Sequence, residues 1–455
     1  MFDIIFSPNN DRKHRLESDT LIMMAQCRIN NGAVIIDVKN SWVLYDVANS
    51  AYILFVLSII PIYFNKLAQE GGLEESEYLA FWAASVSIVT FAMLFFGPFC
   101  GTLSDRQGWR KPVLITLVII GAITCALLGF IEMWAMFLVV LCIGKVAFYA
   151  SLVVYDGMLI DVAKDEEMDH LSSKGYAIGY IGSCIPFAFC LVFMVLSDFI
   201  DMGPTIFTTQ QAVILSLVLV GAWWVILSLP LFRNYEQVHY RKVSMRRPSK
   251  SFKRFIHTFK DIASNKAMLF FMIAFLFYID GVNTVMEMAT AYGKALDLGD
   301  IGLLGGLLLT QVVAFPATIF MNKMAFRFGT HRIIIVSIVG YLCISVFAFF
   351  LSNTMEFFIL AFAVGLFQGT IQALSRSYFG RMVPKDDTGE YFGILDIFGK
   401  GSTIIGTASI ALLTTFFHEP RMMVFVLIAV FLIGLILFLL SNKYAIYDNP
   451  ATKTE

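Results

Sequence analysis

Long apolar runs separated by short polar connections dominate this chain of 455 residues. A helix crossing a bilayer needs about 20 mostly apolar residues, because in lipid every backbone N–H and C=O must find its partner within the segment. Twelve runs meet that length: 41–64, 78–100, 112–131, 134–157, 175–197, 211–232, 267–291, 300–321, 332–351, 356–378, 391–416 and 420–441. The connection over 233–266 is the long one, polar and rich in Lys and Arg, and it divides the runs into two groups of six. The pattern predicts an all-α membrane protein. A tail over 1–40 leads to a six-helix bundle over 41–232. A basic linker over 233–266, a second bundle over 267–441 and a tail over 442–455 follow. Within the linker, Phe252 to Ile262 carries apolar residues at helical spacing, which predicts a stretch lying on the membrane surface.

Composition agrees. Hydrophobic residues make up 58% of the chain and charged residues 15%, against about a quarter charged in a soluble domain. A net charge of −1 gives no argument for nucleic acid. The seven cysteines are scattered, mostly within apolar runs, with no Cys-x-x-Cys, and the six histidines show no ligand spacing. They predict packing residues rather than a disulfide or zinc framework, and no metal or cofactor is expected. Asp3, Asp11, Arg12, Lys13, Arg15, Glu17 and Asp19 precede any apolar stretch, so the start does not read as a secretory signal. Basic residues set the orientation. With the N-terminus inside, all but five of the 33 lysines and arginines fall on the inner face. Lys66, Lys294 and Arg421 lie outside, and Lys145 and Lys400 lie within spans. Both termini and the linker are therefore expected in the cytoplasm.

Between the second and third runs stands Gly101-Thr-Leu-Ser-Asp105-Arg106-Gln-Gly108-Trp-Arg110-Lys111. One half later a worn copy appears, Asn322-Lys-Met-Ala-Phe326-Arg327-Phe-Gly329-Thr-His331-Arg332. Arg327, Gly329 and Arg332 match Arg106, Gly108 and Lys111, while Phe326 replaces Asp105. The first of these loops resembles the one between helices 2 and 3 of major facilitator superfamily transporters. That resemblance implies two parallel six-helix repeats that rock about a central cavity lined by helices 1, 4, 7 and 10. It further implies that Asp105, Arg106 and Arg110 form charge contacts holding the cytoplasmic side closed, with Gly101 and Gly108 shaping the turn. Since the second loop lacks the aspartate, gating charge is expected on one side of the repeat only.

Ionisable groups within spans are costly and usually face a partner or a water-filled cavity. They fall here on helices 1, 4, 7, 10 and 11. Helix 1 carries Asp46 and Asn49, with Asp46 near the cytoplasmic end and open to either an interface role or substrate contact. On helix 4, Lys145, Tyr149 and Asp156 share one face at spacings of four and seven, fitting a cavity lining or a structural ion pair. Asp280, Asn283, Thr284 and Glu287 make one polar stripe on helix 7, suited to a proton or an amine, or to holding helices together. Gln368, Gln372 and Arg376 are spaced by four on helix 10, with Arg376 close enough to the end to snorkel. Asp396 and Lys400 are spaced by four on helix 11, which permits an intrahelical pair. Substrate contact is expected from Asn49, Lys145, Tyr149, Asp280, Asn283, Glu287, Gln368, Gln372 and Arg376. Gating is expected from the loop residues together with Asp46, Asp156, Asp396 and Lys400.

The run from Gly393 to Ser402 imitates a phosphate-binding loop. Its gap is one residue too long, Gly401 stands where a hydroxyl should follow the lysine, and no strand precedes it. Read with Trp42 to Tyr52, Pro61 to Phe64, Gly369 to Ser377, Pro384 and Glu390 to Gly393, it resembles instead the vacuole-effluxer-like branch of the same superfamily. Val47 departs from that branch, which often has tryptophan there. The resemblance implies export of amino acids in the autophagy-linked eukaryotic members. The short loops here look more bacterial, so a bacterial cell membrane is expected. Lys145 and Arg376 would meet a carboxylate, and Asp280 and Glu287 an amine or a coupling proton. A monomer acting as a secondary transporter for a small zwitterion is therefore expected, with a lipid flippase or a non-transporting nutrient sensor as alternatives. No nucleophile–base pair or zinc cluster supports an enzyme.

Overall fold

Apolar side chains along nearly the whole chain leave the backbone no water to bond with, and helix is the local solution. The computed structural model describes residues 28–30, 33–197, 206–241, 258–295, 300–399 and 423–447. The first bundle holds α1 Val38–Glu70, α2 Glu75–Ser104, α3 Arg110–Leu128, α4 Trp134–Val162, α5 Met168–Val195 and α6 Thr209–Asn234. The second holds α7 Lys266–Ala295, α8 Asp300–Phe328, α9 Thr330–Phe349, α10 Thr354–Gly380, α11 over 388–399 and α12 Met423–Tyr447. Eleven of these are long and apolar enough to cross a membrane. The run expected over 391–416 is described only to residue 399, where it is helical. A small antiparallel hairpin pairs Arg28–Asn30 with Ala33–Ile35, within the stretch expected as the N-terminal tail. Of the surface stretch expected over 252–262, only 258 onward is described, and 258–264 is helical.

Helix ends lie several residues beyond the apolar runs because polar residues continue or cap them. Glu74 with Glu77 and Thr208 with Gln211 form capping boxes, and Asn353 accepts from the Glu356 N–H. The largest extensions are seven residues, at α8, which ends at Phe328 rather than 321, and at α5, which begins at Met168 rather than 175. Its early polar residues are retained because they face the other bundle. Ser172 donates to the Ala373 carbonyl on α10 at 2.7 Å. Inside the first bundle α1 packs on α5 and α6, and inside the second α8 packs on α10 and α7 on α12. Across the seam α5 packs on α8 and α10. Trp42 stacks on Tyr155 with ring centres 4.4 Å apart, joining α1 to α4 in the buried core.

The close approach of the two halves beside the first loop needs glycine. A Cβ on Gly101 would lie 2.0 Å from the Gly389 carbonyl oxygen, and one on Gly389 would lie 2.4 Å from Ser104 Oγ. Here α2 and α11 meet backbone to backbone, a contact that small residues alone allow. Gly101→Val should therefore force the two helices apart. Overpacking of this kind costs about 1–3 kcal/mol, enough to shift a two-state equilibrium about 5- to 150-fold. Spin labels on the ends of α2 and α11 should report a longer distance in the variant, and an unchanged distance would remove this contact from the closure.

Candidate functional site

The turn after α2 is built around one carboxylate. Asp105 ends α2, is 2% exposed, and points across the seam at the start of α11. Its Oδ1 accepts the Gly389 N–H and its Oδ2 the Glu390 N–H, both at 2.8 Å. Those N–H groups belong to the first turn of a helix and have no partner within it. Asp105 thus caps α11 from the other bundle, with the helix dipole adding to the attraction. Arg110 holds it there. The guanidinium is fully buried and reaches Asp105 at 2.7 Å, Asp161 at 2.7 Å, the Gly157 carbonyl at 3.2 Å and Thr388 Oγ1 at 2.9 Å. Gly108 supplies the left-handed turn with φ +73°. Arg106 departs from its expected role. Among the described residues no ion pair involves its side chain, and its backbone bridges to Arg241 of the linker.

The expectation of gating charge on one side only is overturned. The second loop keeps the turn, with Gly329 at φ +94°, while Phe326 points outward at 94% exposed. The acid stands instead on the facing helix. Asp169, in the first turn of α5, accepts from Thr330 Oγ1, Ser377 Oγ and Arg381, the last at 2.8 Å. The pseudo-repeat therefore has two interhalf contacts, one with the acid after α2 and one with the acid at the start of α5. Asn322 and His170, 3.2 Å apart, extend the second.

Between these contacts lies Arg376. It reaches Asp46 at 3.2 Å and Asp156 at 3.1 Å, and donates to Ser172 Oγ at 2.9 Å. Its guanidinium lies 4.6 Å from the Trp42 ring centre and 4.4 Å from that of Tyr176. Planar, delocalised and weakly hydrated, arginine suits such a site better than lysine. Asp46 and Asp156 come from the first bundle and Arg376 from the second, so the triad ties the halves and the arginine finds its counter-charge within the protein.

Above the triad opens a cavity of about 350 Å³, lined from both halves. Lys145, Tyr149 and Asp156 line it together, as the shared face on α4 predicts, and Gln368, Gln372 and Arg376 do so from α10. Asn49, Asn283, Asp46 and Asp396 complete the expected set on its wall. Asp280 does not join them. It is 2% exposed and is not part of the cavity lining, whereas Asn283 on the same stripe lines it. The Glu287 side chain and Lys400 lie outside the described residues. Among the described residues, Asn49 Nδ2 and Gln368 Oε1 are buried without hydrogen-bond partners, a donor and an acceptor on the cavity wall. Sequence reasoning missed Tyr176, Tyr180 and Gln311 on the same wall, and Tyr180 donates to Gln372 Oε1 across the seam at 2.7 Å. It also missed Asp161, Asp169, Arg381 and Thr388, polar residues at helix ends that look like solvated caps until the opposite half is in place. Among the described residues no group of three or more His, Cys, Asp or Glu is placed to hold a metal ion.

Removing one partner of a buried ion pair leaves a charge uncompensated and costs about 3–5 kcal/mol. Arg376→Ala should lower thermal stability in detergent markedly, and Arg376→Ala with Asp46→Asn and Asp156→Asn should recover much of the loss. Recovery would fail if the arginine served packing alone. At Asp105, burial pushes the carboxyl up to about 6, against the pull of Arg110 and of the two helix N–H groups. Facing water, the carboxyl would titrate near 3.8. The closed contact therefore binds the proton more tightly than an opened one, so falling pH between those values favours closure, and the preference fades as pH rises through about 6. Distances between labels on α2 and α11 should shorten on acidification, and part of this response should vanish in Asp105→Asn.

Residues 37–444 match the family model described as "Vacuole effluxer Atg22 like". The chain is 37% identical over 402 residues to YxiO of Bacillus subtilis, described as an uncharacterized MFS-type transporter, covering 88% of this chain and 93% of that one. It is 21% identical over 446 residues to autophagy-related protein 22 of Kluyveromyces lactis, covering 91% and 83% respectively. Among solved structures it superposes on a bacterial homologue of the iron transporter ferroportin in an outward-facing state, with TM-score 0.62 and 16% identity over 90% of this chain and 98% of that one. FucP in its outward conformation gives TM-score 0.64 with 14% identity, covering 88% and 97%. The fold is that of a major facilitator transporter and not of an enzyme, and the chain belongs to the Atg22-like vacuole-effluxer family.

Proposed function

We propose that this protein is a secondary transporter that moves a small zwitterionic solute, an amino acid or a close analogue, by alternating access. The cavity at the seam carries the reading. About 350 Å³ suits a solute of modest size. Its wall offers Lys145 for a carboxylate, Asp396 for an amine, and the amides of Asn49, Asn283, Gln368 and Gln372 for orientation. A cavity shared by two halves and closed at one end by ion pairs is what alternating access requires. Movement of a solute across a membrane is also what the vacuole-effluxer description of the family suggests.

The distribution of basic residues supports an Asp105 face turned to the cytoplasm, together with both termini, in a bacterial cell membrane. On that orientation the structure is closed toward the cytoplasm, and the solute enters from the opposite side. Buried Asp46 and half-buried Asp156 at the cavity floor, and Asp396 on its wall, offer a place for a coupling proton. One chain holds the whole cavity, which supports a monomeric working unit.

Purified protein in liposomes should accumulate or release a radiolabelled amino acid when a proton gradient is imposed. Lys145→Ala should reduce that flux by about 100-fold if it removes a charge-assisted hydrogen bond of roughly 3 kcal/mol. Flux of sugars or nucleosides with none for amino acids would replace the substrate class. Binding that stabilises the protein without any flux would make it a sensor.

A further inference from the structure

Residues 235–241, the first stretch of the basic linker, run along the Asp105 end of the first bundle and are fastened to it along their length. Tyr235 donates its hydroxyl to Asp161. Gln237 accepts the Gly108 N–H at 2.9 Å and donates to the Ser104 carbonyl at 3.0 Å. His239 donates its backbone N–H to Asp161 at 2.8 Å. Arg241 donates its backbone N–H to the Asp105 carbonyl at 2.7 Å. All of these partners belong to the first half. The Arg241 guanidinium leaves it, pairing with Asp387 and lying 3.9 Å from Glu390 Oε2 in the second half. At the far end of the linker, Thr258 Oγ1 donates to Glu390 Oε1 at 2.6 Å. Both described ends of the linker therefore meet the same turn, 387–390, whose N–H groups Asp105 caps.

We infer that the first stretch of the linker, 235–241, is a working part of the gate, and that Arg241 is a gate residue positioned by the first bundle and released by the second. The inference rests on the alternating-access reading. Any motion that withdraws 387–390 from Asp105 carries Asp387 and Glu390 away from Arg241 too, because the arginine backbone stays hydrogen-bonded beside Asp105. The tie differs in kind from the Asp105 cap. The Arg241 and Asp387 side chains are 27% and 22% exposed, whereas those of Arg110 and Asp105 are 0% and 3% exposed. Salt therefore screens the linker tie and hardly affects the buried cap. The sequence motif supplies a fixed latch, and the linker adds one that responds to ionic surroundings.

The test uses the full chain in proteoliposomes, with the seven native cysteines replaced and Ser377→Cys as reporter. Ser377 is fully buried where α10 faces Asp169 of α5, and its hydroxyl meets α5 rather than the turn at 387–390 that Arg241 meets. An impermeant thiol reagent applied to the Asp105 face should label the reporter about two- to five-fold faster in Arg241→Ala, the range expected for a partly exposed ion pair. Arg241→Glu combined with Asp387→Arg should return the rate toward that of the parent. Raised salt should accelerate labelling more in the parent than in Arg241→Ala, where the Asp169–Arg381 pair is still left to screen. Gly101→Val on the same background, which forces α2 and α11 apart, separates the two levels of inference. If it accelerates labelling while Arg241→Ala does not, the linker has no part in the gate. If neither accelerates it, the closed-face reading itself fails. The exchanged pair guards against a folding defect, since restored rates require a folded protein.

Discussion

One carboxylate facing one helix end organises the closed side of this transporter. Asp105 accepts two N–H groups that α11 cannot satisfy itself, and so joins the bundles through backbone rather than through another side chain. Burial makes both alternatives costly. A charged Asp105 kept buried without the helix end would be desolvated and uncapped, and a helix end kept buried without Asp105 would leave donors unpaired. Neither half is complete without the other on this face. Arg110, Asp161, Thr388 and the linker are arranged around that mutual need, each touching the turn or its partner.

The second contact answers the same requirement by a different route. The loop after α8 has lost its acid, yet the region is not left without charge, because Asp169 rises from α5 to meet Thr330, Ser377 and Arg381. The first contact is buried and directed at backbone, and the second is more exposed and made among side chains. Arg376 stands between them with both of its carboxylates from the first bundle. Three ties of differing burial therefore join the halves, and on the proposed alternating-access reading the seam parts in stages while the helices inside each bundle keep their packing.

Much of the fold is legible in the sequence because lipid enforces it. Apolar length fixes the helices, and the single long basic connection fixes the division into halves. The i, i+4 and i+7 spacing on α4 places Lys145, Tyr149 and Asp156 together, and the same rule works for Gln368, Gln372 and Arg376 on α10. Periodicity fails to separate Asn283, which lines the cavity, from Asp280, which is buried and does not. It fails again at Arg376, where depth along the helix suggests snorkelling but Asp46 and Asp156 wait on the other half. Asp161 and Asp169 are invisible for a related reason. Aspartates near helix ends are ordinary, and only the packing of two bundles separates a cap in water from a buried partner.

The meeting of Gly101 with Gly389 has a further consequence for permeability. A seam sealed by long side chains closes gradually, and thermal wobble of those chains leaves transient threads of water. Two peptide backbones in contact have no rotamers to fluctuate. The closing stroke ends against a rigid stop, so the sealed face has one geometry rather than many. For a protein embedded in a membrane that must hold an ion gradient, this stop is what keeps a conveyor from acting as a leak.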